Sequence, residues 1–246
     1  MFSVKVFATA QVPDYLIINK DTLKIHSNPL EEYFKVNPFP ENLITMRSSG
    51  NWRGYVAFFK LIDNRLVVEN IYKENHDVNE GEKYKYVLKS IYKDVFGDKK
   101  YFPCDYYSGL LVCPYGEMLQ YVHMGYSSLY ENYKLFEIKS GINVKSKELS
   151  GKGFQDFKID YYKYFKTTRE YKIKSDEFKK MMIEINKDIE KSYFDNEDSS
   201  QKEKLKKENI FLKQKEAEFK LDKEVDSFMF LFLDDYIKTI DIPKKE

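Results

Sequence analysis

Arg53 is one of only four arginines in a chain that otherwise takes its positive charge from lysine, and it follows the sole tryptophan in the run Trp52-Arg53-Gly54-Tyr55. A guanidinium is a planar five-donor fork that matches a carboxylate, and neighbouring rings can act as platforms for a bound group. Arg53 and Tyr55 are therefore candidate partner-binding residues. In this reading Trp52 fills core space while Arg53 points outward from a strand start. A second constellation is Tyr121-Val122-His123-Met124-Gly125-Tyr126-Ser127-Ser128-Leu129-Tyr130-Glu131. His123 closes a strand there, and Glu131 could orient it as an acid, a base or a hydrogen-bond donor. Tyr126 and Tyr130 also suit recognition of a partner surface, since tyrosine offers area and a polar tip at low entropic cost. The plainer alternative is a tyrosine-rich turn whose hydroxyls satisfy local backbone groups.

Other chemistry has little footing. The chain has no Gly-rich phosphate loop, no His-Glu-x-x-His, no Gly-x-Ser-x-Gly and no paired-cysteine zinc spacing. Its three histidines, His26, His76 and His123, are dispersed, with His26 at a strand end and His76 in a polar loop, so no metal or cofactor is expected. Cys104 and Cys113 read as reduced, buried thiols. Tyr161, Tyr162, Tyr164 and Tyr171 interleave with Lys158, Lys163, Lys166 and Lys172, a weak RNA-binding mixture. Asp156, Asp160 and Glu170 spoil its field, and 41 basic against 40 acidic side chains leave no basic half, so nucleic acid is not favoured. No signal-like N-terminus or run of ~18 apolar residues is found. The expectation is a soluble, cytoplasmic protein without a membrane partner.

The elements that must position these residues follow from periodicity. Residues 2–10 alternate as a strand, and two short β runs flank Asn19-Lys20-Asp21, a turn with one extra residue. Asn28 suits an N-cap, with Pro29 at the first helical position and Glu31 and Glu32 near the positive end of the dipole. Residues 52–62 and 66–70, interrupted by Asp63-Asn64, read as a hairpin. Residues 84–96 follow helical spacing with Gly97 as C-cap, and this helix would cover the hairpin. A strand at 106–113 stops at Pro114-Tyr115-Gly116, and strands at 117–123 and 133–139 flank the second constellation. Gly151-Lys152-Gly153 reads as a break. Beyond it a helix capped by Ser175 carries Phe178, Met181, Met182, Ile185 and Ile189. Residues 195–200 form a polar joint, residues 201–220 a helix with Leu205, Leu212 and Phe219 on a thin stripe, and residues 225–240 the strongest helical stripe. The expected fold is α+β: a β-rich domain at 1–150, mainly an antiparallel sheet with two helices, then a helical region at 151–246.

Ser27-Asn28-Pro29-Leu30-Glu31-x-Tyr33-Phe34, Trp52-Arg53-Gly54-Tyr55-x-Ala57 and Tyr121-Val122-His123-Met124-Gly125-Tyr126-x-Ser128-x-Tyr130-Glu131 resemble the motifs of a bacterial family with no established activity. The likeness covers about residues 8–140. It implies kinship and no mechanism, and such domains are associated with toxin-neutralising and defence proteins. The leading expectation is a non-catalytic interaction protein of the immunity type. Its partner would be a protein such as a toxin or effector, bound through Arg53, Tyr55, His123, Tyr126, Tyr130 and Glu131. One alternative is an enzyme whose site joins Arg53, His123 and Glu131; the other is an RNA-binding protein.

Overall fold

The computed structural model describes residues 9–43, 47–77, 85–194 and 210–244. The protein is mixed α+β, with one large, mostly antiparallel sheet. It divides into two compact units. The sheet unit runs to Asp160 and regains the chain at Asp234–Lys244; the helical unit is Tyr161–Leu233.

In the sheet unit β1 (Asp14–Ile18) and β2 (Asp21–Ile25) form a hairpin. Ile18 faces Asp21, so the turn has two residues, one fewer than the sequence suggested, and Asn19 takes φ 56°. β3 (Tyr55–Ile62) lies parallel to β1 and antiparallel to β4 (Arg65–Asp77). Asp63 and Asn64 join them at φ 48° and 63°. Two left-handed residues match the twist of a hairpin, and Asp and Asn tolerate that region. β4 also carries β5 (Lys85–Ser90) and β6 (Phe102–Pro103). β7 (Gly109–Gln120), β8 (Leu129–Lys139) and β9 (Ile142–Ser150) form a meander. The path β2-β1-β3-β4-β9-β8-β7 curls until its ends meet, where the His26 N–H donates to the Val112 carbonyl at 2.8 Å. Leu16, Ile25, Ala57, Phe59, Leu66, Val68, Ile71, Leu111 and Cys113 fill the core. Each large apolar side chain hidden this way contributes roughly 1.5–3 kcal/mol. Helices α1 (Pro29–Phe34) and α2 (Tyr92–Phe96) add Leu30, Tyr92 and Phe96 to this core.

Several elements differ from the sequence reading. The helix expected over 84–96 is, over the described residues 85–96, a strand followed by five helical residues, with Gly97 still at the C-cap (φ 72°). Long β4 offers a free edge, and β5 pairs with it from Tyr72↔Ser90 to Asp77↔Lys85, which makes His76 a strand residue. The turn expected at Pro114-Tyr115-Gly116 lies inside β7 instead. Pro114 falls beyond the contact with β2 at Val112, where β7 needs no second ladder, and the register shifts between Tyr115 and Met118. The Gly151-Lys152-Gly153 break is the first turn of α3 (Gly151–Phe165). Ser150 caps it by accepting the Gly153 N–H at 3.1 Å. Gly151 is required by proximity: a Cβ there would lie 2.4 Å from the Tyr130 carbonyl.

The helical unit holds α4 (Arg169–Phe194) and α5 (Ile210–Leu231). α4 starts seven residues earlier than expected. Thr168 is its cap, accepting the Tyr171 N–H at 3.1 Å, while Ser175 lies inside the helix and donates to the Lys172 carbonyl. Phe178 packs on Phe228 at 4.4 Å, and Asp226 accepts from the hydroxyls of Tyr162 and Tyr171 at 2.7 and 3.0 Å. The stripe expected over 225–240 leaves the helix after Leu231. Ile237 and Ile240 are buried in the sheet unit, where Leu110 N–H donates to the Ile237 carbonyl and Ile240 N–H to Glu137. Most of the strand expected at 2–10, the joint at 195–200 and the helix start at 201–209 lie outside the described residues.

Candidate functional site

Arg53 is buried, with its side chain 2% exposed, against an Asp14 side chain that is wholly buried. Gly54, at φ 75°, closes a turn onto the Asn51 carbonyl just before β3, a conformation glycine adopts without penalty. The Arg53 fork then spans three segments. Nη1 donates to Asp14 Oδ2 at 2.9 Å and to Asn28 Oδ1, and Nη2 donates to the Val12 carbonyl at 2.7 Å. Asp14 Oδ1 accepts the Ala57 N–H at 2.8 Å. Burial pushes the Asp14 carboxyl up from its usual range, opposed by Arg53 and the Ala57 N–H. Burial works against the Arg53 charge, but Asp14, Tyr126, Tyr55 and Glu31 together outweigh it and hold the guanidinium protonated. The Tyr55 ring lies 5.3 Å from the guanidinium, and its hydroxyl donates to Glu31. Asn28 sits at the N-cap position of α1, yet its side chain does not cap the helix; it accepts from Arg53 and from the Tyr126 hydroxyl, the latter at 2.9 Å.

This arrangement reverses the expected roles of the opening pair. Arg53 is the core residue, and Trp52 is 54% exposed. The reason lies in the neighbours. Asp14, Asn28 and Val12 offer the fork three acceptors, whereas the turn places the indole between two buried residues, Asn51 and Arg53, with its own side chain outside. Asn51 is fixed by a 2.7 Å bond to Glu74, and its N–H is accepted by Ser48 Oγ at 3.0 Å.

The Trp52 turn is locked to the second constellation through residues 9–12. Val12 N–H donates to the Gly50 carbonyl at 2.7 Å, and Gln11 Nε2 to the Ser49 carbonyl at 2.9 Å. On the other side Gln11 N–H donates to the Gly125 carbonyl at 3.1 Å, and Gly125 N–H to the Thr9 carbonyl at 3.2 Å. Met118, Leu119 and Tyr121 leave the end of β7 exposed.

Between these loops lies an open cleft of about 130 Å³ lined by Ala10, Gln11, Pro13, Lys24, His26, Met118, Tyr121, Gly125, Tyr126, Ser128 and Tyr130. His26 is 5% exposed, stacks on Tyr126 at 4.8 Å and meets the Tyr130 edge at 5.7 Å. Burial, aided by the charges of Lys158 and Lys24, pushes its pKa down to about 3, so the imidazole is neutral at ordinary pH. Lys158 itself is paired with Asp234 at 2.8 Å.

The predicted residues therefore separate. Arg53, Tyr55 and Tyr126 share one network with Asp14, Asn28 and Glu31, and Tyr126 continues into the cleft beside Tyr130. His123 bonds instead to the Tyr121 hydroxyl at 2.8 Å, and Glu131 accepts the Glu117 N–H at 3.4 Å. Among the described residues neither bonds to Arg53, so the Arg53, His123 and Glu131 triad is not assembled. The Lys/Tyr segment is largely committed too: Tyr162, Tyr171 and Lys166 converge on Asp226. Cys104 and Cys113 are both buried and unbridged, and burial raises both thiols, Cys104 to about 12. Among the described residues no group of three or more His, Cys, Asp or Glu could hold a metal, and no helix is long and apolar enough to cross a membrane. Sequence reasoning missed His26, Asp14 and Lys24. Lys24 lies in β2 and His26 just past its end, so no strand alternation in the sequence joins them. Scanned against protein-family models, curated proteins and solved structures, the chain matches none.

Proposed function

We propose that this is a non-catalytic binding protein that engages a protein partner through the loop face carrying Trp52 and the tyrosine-lined cleft. The observation that carries this reading is Trp52: a 54% exposed indole held between two buried residues on a turn pinned by Glu74, Asp14 and Asn28. Presenting a large ring on a rigid turn lowers the ordering cost of association, and tryptophan and tyrosine dominate interface hot spots. Tyr121, Met118 and Leu119 add exposed apolar area at the end of β7. The groups best suited to chemistry, Arg53, Asp14 and Tyr55, are spent on one another inside the fold. A partner of the toxin or effector kind, neutralised by occlusion, fits a face that binds and does not react.

The test is retention of a specific partner from the protein's own cells, followed by affinity measurement with the purified pair. Trp52→Ser with Tyr121→Ser should retain the fold and weaken binding by roughly a hundredfold or more, as loss of hot-spot residues does. Equal retention by the wild type and the double variant would overturn the reading.

A further inference from the structure

The cleft contains a buried polar side chain with no bond of its own. His26 is 95% shielded, lines the cleft, and among the described residues has no hydrogen-bond partner for either ring nitrogen; its neighbours Tyr126 and Tyr130 touch it only through their rings. A neutral imidazole always carries one N–H donor and one acceptor, and buried polar groups are normally satisfied. Lys24 lies two residues earlier, in β2, and lines the same cleft. It is exposed and has no ion pair among the described residues. The Tyr130 hydroxyl likewise has no hydrogen-bond partner among them. None of the eleven residues around the cleft is acidic. Outside the lining, Asp14, Asp235 and Glu31 act on Tyr126, and Asp234 is engaged by Lys158.

We propose that the cleft is a carboxylate-binding site that seats an acidic side chain of a protein partner. Lys24 supplies the opposite charge, and His26 and Tyr130 donate the hydrogen bonds. The charge is complementary, because the free polar groups present one cation and two donors and no carboxylate lines the cleft. The size agrees as well: a cavity of about 150 Å³ takes a benzene ring, and a space of about 130 Å³ takes a carboxylate on one or two methylenes. Burial is the first cause of the depressed His26 pKa, and the positive charges of Lys158 and Lys24 add to it. An anion seated there would cancel part of the field of those charges. The inference rests on the reading of this face as a partner surface, but its test does not need the partner.

The experiment follows the ring resonances of His26 and Tyr130 by NMR in the full chain at pH 7. Sodium acetate is titrated against sodium chloride at matched ionic strength, with inorganic phosphate and an uncharged-ended tetrapeptide containing one aspartate as further arms. Acetate should give saturable shifts at His26 and Tyr130. Lys24→Gln, an exposed change, should weaken this at least about tenfold. The aspartyl peptide should bind more tightly than acetate, because its backbone reaches the rim. Shifts no larger than those from chloride, or shifts unchanged in Lys24→Gln, would overturn the site. Tighter binding of phosphate than of either carboxylate would replace the carboxylate with a phosphoryl group. Acetate binding without any gain in the aspartyl peptide would refute the protein side chain as occupant in favour of a small free acid. If the carboxylate arms succeed while Trp52→Ser and Tyr121→Ser leave partner retention intact, the site stands and the wider binding face falls.

Discussion

Replacing Arg53 by methionine would leave Asp14 wholly buried and stripped of its counter-charge. Removing one partner of a buried ion pair costs about 3–5 kcal/mol, because the remaining charge keeps its desolvation penalty. The neighbours sharpen the expectation. The Val12 carbonyl and Asn28 Oδ1 would also lose their Arg53 donors, though both keep the Tyr126 hydroxyl. Arg53→Lys restores the charge but not the fork: one ammonium does not span Asp14, Asn28 and Val12 as two guanidinium nitrogens do. Leaving a buried acceptor unmatched costs about 1–3 kcal/mol. Arg65 supplies the control. Its pair with Asp105 is about half exposed on both sides, so Arg65→Met should cost at most about 1 kcal/mol. Urea unfolding reads these differences directly: with a slope near 2 kcal/mol per molar, Arg53→Met should lower the midpoint by about 2 M. Pairing it with Asp14→Leu should recover a substantial part, since a buried pair replaced by apolar side chains is often tolerated. An Arg53→Met midpoint no lower than that of Arg65→Met would refute the clamp. So would strict additivity of the Asp14 and Arg53 changes, because residues in one network couple by about 0.5–3 kcal/mol.

Trp52→Ala should change stability by no more than about 0.5 kcal/mol, and Trp52, as the sole indole, should be readily quenched by iodide in the native protein; a shielded emission would place the ring inside. For His26 the folded pKa of about 3 lies below the unfolded 6.5, so between these values the unfolded chain binds the proton. Its stabilising contribution is full above pH 6.5 and falls as pH drops, by about 1.4 kcal/mol per unit. His26→Phe should remove that part of the acid sensitivity between pH 7 and 5, whereas parallel pH profiles would show that His26 is not held neutral. Gly151→Ala forces a methyl against the Tyr130 carbonyl and should cost about 1–3 kcal/mol in a thermal or urea melt. An unchanged midpoint would show that the start of α3 can move aside. Asp226→Ala should remove the acceptor shared by Tyr162 and Tyr171 and speed amide exchange in α4 and α5, with protection unaltered in β3 and β4.

The sheet was legible where turn chemistry and alternation agreed. Asp63-Asn64 between two apolar runs demands a hairpin, whereas the second strand of the hairpin at Ser140-Gly141, which takes φ 44° and 76° between β8 and β9, was not read from the sequence. It was illegible where period alone had to decide. Residues 87, 88, 91, 92, 95 and 96 fit a helical wheel, yet a short apolar run fits a strand equally well, and the free edge of long β4 settles the matter. Nothing local announces that edge. Pro114 and Gly116 misled for the same reason: their usual effect is to end a strand, but a strand with one unpaired side tolerates a missing donor and a register shift. At Gly151 the signal was present and misread. Ser150 ahead of a polar run is a cap, and the glycine marks a close backbone approach, not a break.

The site shows the limit more sharply. Tyr126 and Tyr130 could be singled out because a loop rich in Tyr, Ser and Gly is an unusual composition. Arg53 could be singled out too, since a rare fork in a lysine-rich chain needs a planar partner. The direction it faces was not readable, because that depends on Asp14, thirty-nine positions away, being buried beside it. Once Asp14 is inside, the argument turns over: an unpaired buried carboxylate is too costly to keep, so Arg53 must go in, and the tight turn that brings it there puts Trp52 out. The exposed indole is thus a consequence of the buried ion pair. Asn28 completes the link, because the oxygen that would have capped α1 instead joins Arg53 to Tyr126, whose ring walls the cleft. A change that loosened Arg53 would therefore disturb Trp52 and the wall of the cleft together. Binding by the two features should fail in concert in Arg53→Lys and separately in Trp52→Ser and Lys24→Gln.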